Sequence, residues 1–221
     1  MFEERLAKLR EKLKRLEGIM LPEHREILKG RYIMSALYQY CFPMNPPATS
    51  EQVKAFESKH NCSLPEDYRE FIQQIGDGGP GPNGLFTLFP ENNKTRNPMF
   101  GAHLAPFPFI WQSEIIPETG EDWGSFTYME DLEDKTRDIG LAIEFFCGGC
   151  DHYYFLVVTG SEKGSVWQAR TESNREFAAL ATGEKTRVSF LEWFENWIEK
   201  QLQTSERALA RGVPIVQPLR G

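Results

Sequence analysis

No run of about 18 apolar residues occurs anywhere in this 221-residue chain, which excludes a membrane-spanning helix on sequence grounds. The first residues, "MFEERLAKLREKLKRLE", are charged throughout and lack the apolar core of a secretory signal, so a cytoplasmic location is expected. Cysteine is scarce. Cys41, Cys62, Cys147 and Cys150 are too few for a disulfide framework in a chain this long, and reduced thiols are expected. Serine-nucleophile chemistry lacks its G-x-S-x-G elbow, and the histidines, His24, His60, His103 and His152, are scattered. The glycine-rich "GDGGPGPNG" lacks a GK[ST] ending. It also follows a helical pattern and precedes a strand pattern, the reverse of a phosphate loop. No catalytic set, cofactor or metal is therefore expected.

What the chain does have is a good supply of core residues and an uneven distribution of charge. Apolar residues make up 40% and aromatics 13%, enough for a packed interior. The net charge is −7, and the window from Glu114 to Asp138 carries all of it: nine acids face Lys135 and Arg137 alone. Residues 1–40 are opposite in sign, with nine bases and six acids. So concentrated an acidic segment argues against nucleic-acid binding and suits a basic protein partner; a solvated loop that keeps the protein soluble is the bland alternative.

Periodicity divides the chain into a helical N-terminal extension with a proline-rich connector (1–48), an α+β body (49–204) and an irregular tail (205–221). Leu6, Leu9, Leu13, Leu16 and Met20 step by three and four, an amphipathic or coiled-coil seam. Gly18 and Pro22 predict a break and a second helix. Packing on the body or self-association through residues 1–40 would each use this seam. Thr49 or Ser50 is expected to cap the next helix, and Ser63 to open a capping box with Pro65 just inside the start. Leu64, Tyr68, Phe71, Ile72 and Ile75 then form one apolar stripe that Gly76 stops, glycine accepting the left-handed conformation. "LFTLF" (85–89), "PFIWQ" (108–112), "GSFTYM" (124–129), "IGLAIEFF" (139–146), "HYYFLVV" (152–158) and "GSVWQAR" (164–170) read as strands. The loop "TGSEKG" predicts an antiparallel hairpin. "SFLEWFENWIEKQL" opens with a second capping box, Ser189 to Glu192, and docks Phe190, Phe194, Trp197 and Ile198 on a sheet. Helices, then a strand meander, then a helix is α+β order: a mainly antiparallel sheet packed against helices.

These residues resemble a known family. "LPEDYREFIQQIGDGG" (64–79) is similar to the helix-and-glycine signature of the SUKH superfamily, the Smi/Knr-like domain, with Asp77 where asparagine is usual. "IGLAIEFFCGGCDHYYFLVVTGSEKGSVWQA" resembles its central hairpin, and "SFLEWFENWI" its closing helix. The resemblance spans about residues 50–202. It implies a non-catalytic binding protein. Bacterial members are mostly immunity proteins that neutralise toxins of contact-dependent or polymorphic systems, and fungal relatives regulate cell-wall synthesis as interaction scaffolds.

The partner-binding set expected from the residues is Glu118, Glu121, Asp122, Trp123, Glu130, Asp131, Glu133 and Asp134, acids that steer a basic toxin and an aromatic that supplies contact area. A nuclease fits best, since its substrate face must be basic. A carboxylate-dependent hydrolase built on the same acids is the rival of another class. Cys147-Gly-Gly-Cys150 lies between two strand patterns rather than at a helix start, so it reads as a turn; a redox or metal role is the alternative. Trp111, Trp167, Trp193 and Trp197 are expected in or near the core.

Overall fold

A computed structural model describes residues 2–28, 44–79, 85–92, 103–107, 109–115, 122–128, 140–149, 152–170, 177–179 and 187–212. Among them are four α-helices: α1 (Phe2–Leu28), α2 (Ser50–His60), α3 (Glu66–Gln74) and α4 (Phe190–Ala210). Seven strands follow the first three helices: β1 (His103–Phe107), β2 (Phe109–Ile115), β3 (Asp122–Tyr128), β4 (Gly140–Gly149), β5 (His152–Val157), β6 (Val166–Arg170) and β7 (Phe177–Ala179). The class is α+β, as expected. Five strands form one antiparallel sheet in the order β1-β4-β5-β6-β7, and β2 and β3 form a separate two-stranded sheet.

The helices start where the sequence marks them, with one exception. Thr49 caps α2 and exchanges hydrogen bonds with Gln52, and Ser189 and Glu192 do the same for α4. Ser63, by contrast, caps nothing. Pro65 occupies the cap position of α3 without a side-chain bond, and the Ser63 hydroxyl accepts from Lys163 Nζ at 2.5 Å. The helix is seated instead by Glu57 of α2, whose Oε1 accepts from Leu64 N at 2.7 Å and pairs with Arg69 at 2.7 Å. The expected break at Gly18 and Pro22 does not occur, and α1 runs unbroken to Leu28. Interior proline disfavours helix by about 3 kcal/mol. The cost falls on the one backbone hydrogen bond that Pro22 cannot donate to the turn before it.

One face of the large sheet carries the main core. Ile143, Phe145, Leu156, Val158 and Val166 meet Tyr68, Phe71 and Ile72 of α3 and Phe190, Leu191, Phe194 and Ile198 of α4. Aromatic edges fill the middle: Phe71 lies edge-on to Phe190 and Phe194, and Trp193 edge-on to Phe145 and Phe146. Trp193 is buried, whereas Trp167 and Trp197 are half-buried at the rim. The opposite face holds a smaller buried cluster of Ala142, Phe155 and Val157, flanked by Tyr153 and Trp167. "LFTLF" is not a strand. Leu85 bridges to Gly79 and Phe146, Phe86 N donates to Phe145 O, and the chain then enters a 3-10 turn at Pro90–Asn92. Two strands escape the sequence reading: β1 contains Pro106, a residue that demotes a strand pattern, and β7 is only three residues long. The closing helix reaches Ala210, beyond residue 204, where the sequence pattern places the start of the tail.

The stripe on α1 is buried within its own chain. Leu6, Leu9, Leu13 and Leu16 are 0–6% exposed and join the main core, so self-association by that stripe is corrected to intramolecular packing. Arg5–Glu195, Lys12–Glu199 and Arg15–Glu206 pair in ascending order along both helices, so α1 and α4 run in the same direction.

Candidate protein-binding interface

Of the acidic segment, Glu114 and residues 122–128 lie on the β2–β3 hairpin. Its register pairs Phe109 with Tyr128, Trp111 with Phe126, Glu114 with Trp123, and Ile115 with Asp122. Asp122 opens β3, and Trp123 lies within that strand opposite Glu114. Glu118 and Glu121 fall between β2 and β3 in sequence. Glu130, Asp131, Glu133 and Asp134 follow β3 on the way to β4. These six acids lie outside the described residues. The backbone thus brings Asp122 and Trp123 together with Glu114 on a two-stranded sheet separate from the main one. Two-stranded hairpins are at best marginally stable alone in water.

The Cys147-Gly-Gly-Cys150 stretch does close a strand. Cys147 pairs with Tyr153 across the β4–β5 ladder, and Gly149 pairs with His152 after a register shift. Cys147 therefore lies in a sheet, without the helix N-terminus that would activate a redox thiol; Cys150 lies outside the described residues. Among the described residues no cluster of three or more His, Cys, Asp or Glu side chains could hold a metal. Cys62 is free and half-buried, and burial raises its thiol pKa, with Glu57 adding to the effect.

Three carboxylates are buried or half-buried; the sequence marks Asp77 only as a departure from asparagine and does not mark Asp67 or Glu144 at all. Asp77 is fully buried: Oδ1 accepts from Leu88 N at 2.8 Å, while Oδ2 accepts from Phe89 N at 3.0 Å and Asn92 Nδ2 at 3.2 Å. Burial pushes its pKa up to about 6, against the pull of these donors. Asn45 completes the knot, donating from Nδ2 to Asp77 O and to Thr87 Oγ1, while Asp77 N donates to Pro46 O. Asp67 is also buried. It accepts from Tyr68 N at 2.8 Å and, across the molecule, from Leu191 N at 2.9 Å, satisfying one of the free amides at the start of α4. Glu144 is half-buried in β4, in register with His103 and Phe155, and burial raises its pKa to about 7. Each carries the sequence signature of an ordinary surface acid; only the tertiary fold removes it from water.

Gly76 is required for a different reason from the one its position suggests. It is not left-handed; a Cβ there would lie 2.6 Å from Asn45 O and 2.9 Å from Met44 Cε. The left-handed turn falls to Gly78 and Gly79, with φ of 86° and 137°. The whole "GDGG" run therefore lets the connector at 44–48 cross directly over the end of α3, with Ala48 N donating to Ile72 O and Asn45 N to Gly78 O.

Those paired features, a helix ending in a packed glycine turn and an antiparallel hairpin closed by a second helix, lie within one matched region. The profile of the SMI1 / KNR4 family (SUKH-1) matches residues 47–199. The chain belongs to this family. No curated protein and no solved structure matches the chain. Within the SUKH-1 region lie α2, α3, the sheet and the first half of α4, whereas α1 lies before it. The SUKH-1 glycine turn is an architectural element here, since the polar groups of Asp77 are consumed by Asn45, the Leu88 and Phe89 amides and the Asn92 side chain. Protein–protein binding is the general mode of action this membership implies. Among the described residues no helix is long and apolar enough to cross a membrane.

Proposed function

We propose that this SUKH-1 protein is a non-catalytic immunity protein that neutralises a bacterial polymorphic or contact-dependent toxin in the cytoplasm by stoichiometric binding. Family membership over residues 47–199 carries the reading. The charge distribution supports a basic partner: the whole net charge of −7 is accounted for between Glu114 and Asp138. Glu118, Glu121, Asp122, Trp123, Glu130, Asp131, Glu133 and Asp134 are the proposed contact residues. A nuclease toxin suits them, because the face that grips phosphates is basic and a protein that covers it blocks the substrate. A standard interface buries roughly 1,600 Å², so the hairpin strands must contribute alongside the acids.

The test is co-expression with a candidate toxin recovered by affinity capture on this chain. Rescue of growth is expected, together with a one-to-one complex whose affinity falls with salt. Neutralising Asp122, Glu130, Asp131 and Asp134 one at a time should weaken binding in small, salt-sensitive steps. Failure to protect against any captured basic protein overturns the reading. So does collapse of a substrate-turnover activity at one or two of these positions, the signature of a hydrolase.

A further inference from the structure

The SUKH-1 match begins at residue 47, yet the surface of α3 and α4 is completed by a helix that precedes it. α1 lays Leu6, Leu9, Leu13 and Leu16 into the same cluster as Phe194, Ile198 and Leu202 of α4. Along the seam the three ion pairs among the described residues have the same polarity, with the cation on α1 and the acid on α4. Arg5 grips Glu195 with both Nε and Nη2, at 3.0 and 2.7 Å; Lys12 meets Glu199 at 2.8 Å, and Arg15 meets Glu206. Arg10 Nη2 donates to Gln74 O at 3.1 Å, satisfying a free carbonyl at the C-terminus of α3 and complementing its dipole. The groove thus displays the chemistry of its ligand: a helix with an apolar stripe at three- and four-residue spacing, flanked by cations and oriented along α4.

We propose that the α3–α4 groove is an exchangeable helix-binding site, held in cis by α1 and able to take, in trans, a basic amphipathic helix of a partner protein. Charge complementarity to Glu195, Glu199 and Glu206 selects that partner. The proposal deepens the protein-binding reading by adding a second acidic surface, remote in sequence from the 114–138 segment. Tethering gives α1 an effective concentration of order millimolar. A partner helix therefore succeeds only if it binds the open groove far more tightly than α1 does, or where α1 has been loosened. The helix acts as a threshold rather than a permanent wall.

The probe is a fluorescently labelled synthetic peptide of residues 2–28, titrated against the full chain, so no toxin enters the measurement and the outcome is independent of the immunity reading. The unaltered chain should bind it weakly. Two loosened full-length variants, Arg5→Glu/Lys12→Glu/Arg15→Glu and Leu9→Ala/Leu13→Ala, should bind it about tenfold more tightly or better, because their own helix competes less. Adding Glu195→Lys to the charge-reversed chain should reduce that gain. No gain in either variant while the body still melts cooperatively overturns the proposal. Hydrogen exchange on the unaltered chain supplies a reading that needs no variant. Amides of α1 should exchange about tenfold faster than those of α4, through opening of α1 alone. Exchange of both helices at one common rate overturns the proposal.

Discussion

Two places in this protein tie distant segments together, and they do so by opposite means. At the Asp77 knot, connector 44–48, the glycine turn and residues 87–92 are held by buried polar groups, with Asp77 fully shielded from water. At the α1–α4 seam, four leucines do the burying and the charges stay at the edge; the side chains of Arg5 and Glu195 are 33% and 30% exposed. The contrast shows where polarity is consequential. A carboxylate inside the protein leaves several donors stranded if it is lost, whereas a charge at a rim is replaced by water.

The comparison can be broken at either end, beginning with the largest effect. Asp77→Ala strands two buried backbone amides and opens a void, and should cost about 4 kcal/mol, read from the shift in urea midpoint at neutral pH. Leu9→Ala should cost about 3 kcal/mol by the same measurement, through lost burial and a residual cavity. A third effect is a pH slope. The Asp77 pKa is about 6 when folded, against an ordinary 3.8, so between those values the folded chain holds a proton that the unfolded chain has released. Its contribution is complete below the lower value and is lost as pH rises through the upper one, about 3 kcal/mol in all. Asp77→Asn should abolish that increment; an identical pH slope in both proteins would remove Asp77 from the account. Smallest is Arg5→Ala, expected to cost under about 1 kcal/mol and less in high salt, because its ion pair is one-third exposed and screened. A loss comparable to Leu9→Ala would mean the seam is electrostatic after all.

Much of the body was legible because its signals are local. Apolar spacing in "LPEDYREFIQQI" and "SFLEWFENWI" places two helices, and Leu64, Tyr68, Phe71, Phe190, Phe194 and Ile198 are buried as that spacing demands. The loop at 159–164 sets the β5–β6 pair, with Gly160 and Gly164 at positive φ. Misreadings arise where a local rule meets a distant partner. Gly76 reads as a left-handed stop, but it is small because Asn45 passes over it. Pro22 reads as a break, but α1 runs through it to Leu28. Ser63 reads as a cap, but Lys163 of the hairpin loop takes its hydroxyl. Of the proposed interface, the sequence supplies the charge, while the fold adds only the register of Asp122 and Trp123 on β3.

Composition and periodicity alone determined that this chain is an α+β protein with an amphipathic first helix, one acidic segment, and no local catalytic motif, because these properties depend on residue type and spacing of a few positions. Only the tertiary structure decided that the first helix lies parallel to the last. It also decided that Asp67 and Asp77, two ordinary-looking acids, are buried among backbone amides from up to 124 residues away. Burial and pairing are properties of neighbours in space, and a chain that crosses itself chooses those neighbours only once it has folded.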